Sequence, residues 1–236
     1  MVSHGQGQLI YYLLTDVQRG LDCSFEILLT FNIPEDESFL NLFKSLPIRA
    51  IRNNSPKGFG ANHNSAFAAS RGRHFVIVNP DIRAGALFLS PLLRLIELAR
   101  VGACGPVVLS PSGSVEDSAR RFPSFGRLTR RFMARLCHHK RPPEYTWHTT
   151  AIGVDWLAGM FVLFRRDAFL EVGGFDERYF MYFEDADICR RLRVKGWEIW
   201  LCPEATVIHD AQRASHRSLK HMMWHLRSAF LYLTRL

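Results

Sequence analysis

The sequence predicts an α/β fold, a mostly parallel sheet covered by helices, and three observations carry that reading. Strand-like apolar runs alternate with helical stretches through the first half of the chain. One of those runs, Phe75-Val76-Ile77-Val78, passes directly into Asn79-Pro80-Asp81, the kind of polar strand end that faces the ligand crevice of an open α/β sheet. A length of 236 residues with 47% apolar content can bury one large core, and length alone does not force two domains.

In chain order, Leu9 to Leu14 reads as helix, Phe25 to Thr30 as strand and Arg49 to Arg52 as strand. The small-residue stretch Ala61 to Ser70 then reads as helix, His74 to Val78 as strand, Leu87 to Ala99 as helix and Ala103 to Leu109 as strand. Farther on, Phe161-Val162-Leu163-Phe164 continues Trp156 to Met160 as a core strand, and Ala205 to Ile208 is an apolar strand ending at His209. Between them lies a helix in which Ile188, Leu192 and Val194 alternate with Arg190, Arg191, Arg193 and Lys195, and Gly196 supplies its left-handed end. No internal repeat or low-complexity tract interrupts the pattern.

Chemistry concentrates at the start of that helix. Gly173-Gly174-Phe175-Asp176-Glu177 is followed by Tyr182-Phe183-Glu184-Asp185-Ala186-Asp187, which places Glu184, Asp185 and Asp187 where backbone N–H groups and the helix dipole favour negative charge. An acid there also serves as a plain cap. The number of acids, and the aromatic residues Tyr179, Phe180, Tyr182 and Phe183 that can wall off a pocket, favour a functional reading. A second acidic signal is Asp81 at its strand end; hard oxygen ligands there suit Mg²⁺ or Mn²⁺, which bind through one or two carboxylates plus substrate phosphates. Asn-Pro-Asp is equally an ordinary turn.

The order of these motifs, from Lys57-Gly58-Phe59 and Asn64 through Asn79-Pro80-Asp81, Trp156-Leu157-Ala158-Gly159-Met160, Gly-Gly-Phe-Asp-Glu and Glu-Asp-Ala-Asp to His209, resembles family 2 glycosyltransferases of the GT-A fold. The likeness is to the rhamnosyltransferase-like group of bacterial surface polysaccharide synthesis, and it covers about Phe25 to His209. It implies an inverting, metal-dependent sugar transfer from a nucleotide diphosphate to a saccharide or lipid-linked acceptor, with rhamnose among the candidate sugars. On that likeness Asp185 is the acceptor-activating base, with Glu184 beside it, and Asp81 and His209 hold Mg²⁺ or Mn²⁺. Ser3, His4, Asn32, Lys57, Gly58, Phe59, Asn64, Asn79 and Asp81 fall on the donor side, and Trp156, Gly159 and Asp187 on the acceptor side. Residues 1–210 then form the transferase domain, with a nucleotide-sugar half at 1–110 and an acceptor half at 111–210; residues 211–236 form a C-terminal basic amphipathic helix.

Two departures from the family pattern bear on function. Only Met1 and Val2 stand before Ser3, so the first strand is expected to be truncated or missing, and Phe31-Asn32 replaces the Asp-Asn pair expected near the base. A catalytically inactive, membrane-associated binding module is therefore the reading from another class. A nucleotidyltransferase fits less well, because no Gly-rich phosphate loop follows strand one, and the loop at Gly58 is neither a P-loop nor a dinucleotide fingerprint.

Composition bounds the partners. The chain carries 30 Lys and Arg against 22 Asp and Glu, a net charge of +8. Arg120, Arg121, Arg127, Arg130, Arg131, Arg135, Lys140 and Arg141 occur with no acid between Asp117 and Glu144, interleaved with Phe122, Phe125, Leu128, Phe132, Met133 and Leu136. Such a basic amphipathic segment suits an anionic membrane surface. Near the C-terminus Leu219, Met222, Met223, Leu226, Phe230 and Leu233 share a helical face, with Arg213, Arg217, Lys220 and Arg227 elsewhere; a core-facing helix with a solvated basic side explains that pattern at least as well. No nucleic-acid motif is present. Five scattered cysteines without a Cys-x-x-Cys pair, no secretory signal and no apolar run of ~20 residues point to a cytoplasmic protein at the inner membrane face.

Overall fold

The structure, a computed structural model, describes residues 1–20, 23–85, 88–136, 144–146, 148–210 and 219–235. The chain opens with β1 (Val2–Ser3), α1 (Gly7–Gly20), β2 (Ile27–Phe31), a 3₁₀ turn (Ser38–Phe43), β3 (Ile48–Arg52) and α2 (Phe59–Ala69). β1, β2 and β3 pair in that order, all parallel, with Val2 opposite Thr30 and Ser3 opposite Phe31. The first strand is thus short rather than missing: Thr30 N–H donates to Met1 O and Asn32 N–H to Ser3 O. α1 covers this sheet because Ile10, Leu13, Leu14 and Val17 recur at helical spacing and bury against Leu29 and Phe31.

A second sheet follows from β4 (His74–Val78), β5 (Ile82–Ala84), α3 (Leu89–Ile96), β6 (Val101–Leu109), β7 (Ala119–Arg120), α4 (Phe125–Leu136), β8 (Ile152–Gly153), β9 (Trp156–Leu157), β10 (Phe161–Arg165), α5 (Arg166–Glu171), α6 (Glu184–Val194), β11 (Glu198–His209) and α7 (Leu219–Leu233). Its order is β4-β10-β6-β11-β5, with β8 also on β11. β6 and β11 run parallel and β10 enters antiparallel between β4 and β6. β6 is buried along nearly its whole length, as a central strand covered on both faces must be. β7 and β9 form a small antiparallel ribbon. Val78 packs against the first cluster, which joins the two sheets.

Register sets the site. Ile208 lies opposite Leu109 on one side and Arg83 on the other, and His209 opposite Ile82, so β6 and β11 end where the antiparallel β5 begins, and Asp81 and His209 come to one edge. The elements that patterning does not reveal are β5, β7, β8 and α5, whose two to six residues are too few to show a period, and the single core strand expected from Trp156 to Phe164 is split into β9 and β10, which lie in different sheets.

Of the two orientations open to the apolar face of α7, towards the core or towards solvent, the described residues take the second. Ser228 and Tyr232 are buried, whereas Met222, Met223, Leu226 and Phe230 are 55% to 71% exposed. The Leu219 side chain, the side chains of Arg131, Phe132, Arg135 and Leu136, and Leu87, Cys137, Lys140, Arg141, Arg213 and Arg217 lie outside what is described. Cys104, Cys189 and Cys202 are buried free thiols, and no described helix is long and apolar enough to cross a membrane.

Candidate active site

One corner is built by the strand ends. His209 Nε2 lies 3.2 Å from Asp81 Oδ2, and His209 Nδ1 lies 2.7 Å from Glu116 Oε2. Burial alone would lower the imidazole pKa; hydrogen bonds and charge from Asp81 and Glu116 outweigh it and raise it to about 9. The second Asp81 oxygen, Oδ1, is buried with no hydrogen-bond partner. An unpartnered buried carboxylate oxygen beside an imidazole is a donor set that fits a divalent cation. Among the described residues no three His, Cys, Asp or Glu side chains form a closed metal cage; Asp81 and His209 offer two ligands, the number that suits a cation completed by substrate phosphates.

The second corner is the start of α6. Phe183 is its N-cap residue and no side chain caps it. Asp185 Oδ2 accepts from Gly159 N–H at 3.0 Å, and Oδ1 from Ala186 N–H at 2.8 Å. Burial raises the Asp185 carboxyl above its ordinary 3.8, while the Gly159 amide and the charge of Arg120 pull it partly back. Glu184 is only 5% exposed, and its Oε2 has no partner. Burial, then the neighbouring Asp185 charge, lifts its pKa well above 4.5. Of this carboxyl pair, burial raises Glu184 further than Asp185, which keeps the backbone hydrogen bonds and the Arg120 charge that favour its ionised form. A Cβ at Gly159 would stand 3.0 Å from the Phe59 ring and 3.8 Å from Asp185 Cβ, so glycine is what allows this approach.

Three consecutive residues tie the corners together. Ala158 N–H donates to Ser118 O at 2.8 Å, Gly159 N–H reaches Asp185, and Met160 O accepts from Asn79 N–H at 2.9 Å. The strand-end and helix-start carboxylates therefore share one backbone support.

A third corner gathers the ends of β1, β2 and β3. Asn32 Oδ1 accepts from Lys57 N–H and from Asn53 Nδ2, both at 2.8 Å, and Asn32 Nδ2 donates to Lys57 O and lies 3.2 Å from His4 Nδ1. Asn62 closes the network: its Oδ1 accepts from Asn53 at 2.6 Å and its Nδ2 donates to Lys57 O and Gly58 O. Ser3 is buried and its Oγ accepts from Gln6 N–H. The Lys57 side chain is exposed. Gly58 lies so close to Phe180 that any Cβ would clash with its backbone, and Phe59 N–H donates to Phe180 O at 2.9 Å. A surface cavity of about 550 Å³ opens nearby beside Gly5, Glu35 and Phe39, but none of the sequence-derived site residues lines it.

Some expected site residues are placed elsewhere. Asn64 does not join the donor corner; its side-chain amide bonds Phe175 N–H, Phe175 O and Glu177, fixing the Gly173–Gly174 turn. Asp187 does not join Asp185; buried to 1% exposure, it pairs with Arg191 at 2.7 Å and Arg190 at 3.6 Å, and Arg191 then donates to Val172 O and Gly174 O. Two residues along a helix turn a side chain to the opposite face, which is the physical reason. Phe59 turns its ring to His63, Phe175 and Gly159. Trp156 is buried, donates to Arg121 O and is covered by the Arg120 guanidinium at 5.1 Å. Glu116, Asn53, Asn62 and the site-facing Arg120 were not legible as site residues: Arg120 reads as one charge of a basic run, and Glu116 sits in a loop.

Comparison with solved structures fixes the fold. A mannosyltransferase from Pyrobaculum calidifontis in complex with GDP-Man and Mn²⁺ superposes with a TM-score of 0.68 at 15% identity, covering 100% of this chain and 63% of that one. TarS of S. aureus in complex with UDP-GlcNAc gives a TM-score of 0.64 at 13% identity, covering 91% of this chain and 58% of that one. The fold is the GT-A fold of glycosyltransferases. Sequence narrows it further. Residues 34–225 match the family described as "Glycosyltransferase like family 2", and the chain belongs to that family. The rhamnosyltransferase WbbL of Escherichia coli is 34% identical over 189 residues, 75% of this chain and 70% of its own length. An N-acetylglucosaminyl-diphospho-decaprenol L-rhamnosyltransferase of Mycobacterium tuberculosis is 35% identical over 165 residues, 67% of this chain; the match spans about half, 54%, of that relative.

Proposed function

We propose that this chain transfers a sugar, rhamnose being the leading candidate, from a nucleotide diphosphate to a saccharide or lipid-diphosphate-linked acceptor of cell-surface polysaccharide synthesis, with inversion at the anomeric carbon. The observation that carries the reading is Asp185: a half-buried carboxylate with a raised pKa, oriented by Gly159 N–H at the start of a helix. Asp185 accepts the acceptor hydroxyl's proton as that oxygen attacks the anomeric carbon and the bond to the diphosphate breaks. Burial raises the Glu184 pKa further than that of Asp185, so Asp185 is the member of the pair that carries negative charge more readily. Mg²⁺ or Mn²⁺, when bound, supplies positive charge for the departing diphosphate, and Asp81 and His209 are the residues that would hold it. Lys57 is exposed beside the asparagine network and supplies a further cation for phosphate. The rhamnosyltransferase relatives, and the nucleotide sugars and Mn²⁺ named with the structural neighbours, support this assignment.

Thermal stabilisation by dTDP, UDP and GDP, each with and without Mn²⁺, tests it, because a ligand of the native state raises apparent stability by mass action. A metal-dependent shift with one nucleotide is expected and names the donor class; no shift with any of them would favour the inactive binding module instead. The same reading seats the protein peripherally on an anionic membrane, with the outward stripe Met222, Met223, Leu226 and Phe230 flanked by Lys220 and Arg227. Co-sedimentation with phosphatidylglycerol vesicles, lost when Phe230 and Leu226 become Ser, is the expected result; equal binding of both forms would remove the stripe from the account.

A further inference from the structure

We infer that Glu116 is a positioning residue for cation binding, holding the His209 ring so that Nε2 faces the same point as Asp81; this rests on the metal-dependent transfer proposed above. Three observations carry it. Glu116 Oε2 lies 2.7 Å from His209 Nδ1, the tightest contact that the imidazole makes. The opposite ring nitrogen and Asp81 Oδ2 are 3.2 Å apart, a spacing at which two atoms can share one ligand, and Asp81 Oδ1 has no partner. A carboxylate behind a ligating imidazole fixes the tautomer with the proton on the far nitrogen and increases the basicity of the near one.

The backbone explains why Glu116 can do this reliably. The chain leaving β6 turns at Gly113, whose φ of +79° is the left-handed region, and returns alongside the strand through a bridge between Leu109 and Val115. Glu116 N–H donates to Val108 O and Glu116 O accepts from Ser118 N–H, both at 2.8 Å. Since β11 pairs with β6 up to Ile208 opposite Leu109, the returning segment meets His209 one residue beyond the end of that pairing. Serine hydroxyls of Ser110, Ser112 and Ser114 bond one another across the turn and hold it closed.

The test measures Mn²⁺ binding directly, by electron paramagnetic resonance of free Mn²⁺, in the presence of whichever of dTDP, UDP or GDP stabilises the protein. Glu116→Ala is expected to weaken Mn²⁺ affinity about 10–100-fold. Glu116→Gln, which keeps an acceptor for Nδ1–H but removes the charge, is expected to recover part of that loss. Far-ultraviolet circular dichroism of the metal-free variant should match the wild type, which separates positioning from folding. Asp81→Ala and His209→Ala serve as the reference: if both bind Mn²⁺ like the wild type, the metal reading itself fails. If they lose binding while Glu116→Ala keeps full affinity, only the role of Glu116 is overturned.

Discussion

The asparagine corner and the carboxylate corner solve opposite problems with polar side chains. Around Lys57 and Gly58, Asn32, Asn53 and Asn62 spend their amides on one another and on the loop backbone, so the network is closed before any ligand arrives. Around α6 and the ends of β5 and β11, Glu184 Oε2 and Asp81 Oδ1 are buried without partners, and Asp185 is held against its ordinary pKa. A satisfied network gives shape; an unsatisfied one gives reactivity. The two regions meet through Gly58 against Phe180 and through Phe59 against Gly159, so the rigid one frames the poised one.

Substitutions can break this contrast, and the largest effect belongs to the poised side. Asp185→Asn keeps an oxygen for Gly159 N–H and removes the proposed base, so turnover should fall about 10²–10⁴-fold. Because burial raises the Asp185 pKa, its ionised form weighs against folding at neutral pH, and the variant should melt at the same temperature or higher. A melting temperature several degrees lower would show that the carboxylate is structural after all. On the rigid side the signs invert. Asn32→Ala leaves Lys57 N–H and Asn53 Nδ2 short of an acceptor and should cost about 1–3 kcal/mol in urea unfolding; a loss below a few tenths would mean that water replaces the amide and the corner is not preorganised.

Glu184→Gln sharpens the comparison with the smallest effect. A carboxyl whose folded pKa is raised costs no stability below its unfolded value and progressively more as pH climbs toward the folded one. The stability gained by Glu184→Gln should therefore be near zero at pH 4 and grow towards pH 8. A gain that is flat with pH would deny Glu184 its raised pKa.

Sequence reading reached the parts of this molecule that periodicity and local chemistry encode. The α/β class, β2, β4, α2 and the placement of Glu184 and Asp185 at the start of a helix were legible from alternation and from Gly196 at the helix end. The pairing of Asp81 with His209, 128 positions away, was accessible only through family resemblance, because local pattern carries no information on strand register. Asp187 was grouped with Asp185 although helical geometry sends the two apart, and Asn64 was given to the donor although its partners lie 111 residues on. The apolar positions of α7 were read correctly as one face, but hydrophobicity does not say whether such a face meets a core, and here Met222, Leu226 and Phe230 point outward.

Tyr182 and Phe183 occupy the left-handed region in succession, at φ of 73° and 67°. For bulky L-residues each such conformation costs about 1–2 kcal/mol, and what offsets it comes from α7: Tyr182 Oη lies 2.9 Å from His221 Nδ1, Ser228 Oγ donates to Met181 O at 2.9 Å, and Phe183 packs on Tyr232. The turn is a cocked spring and α7 its catch. One side of that helix thus latches the residues leading into α6, while the other presents the exposed stripe of Met222, Met223, Leu226 and Phe230.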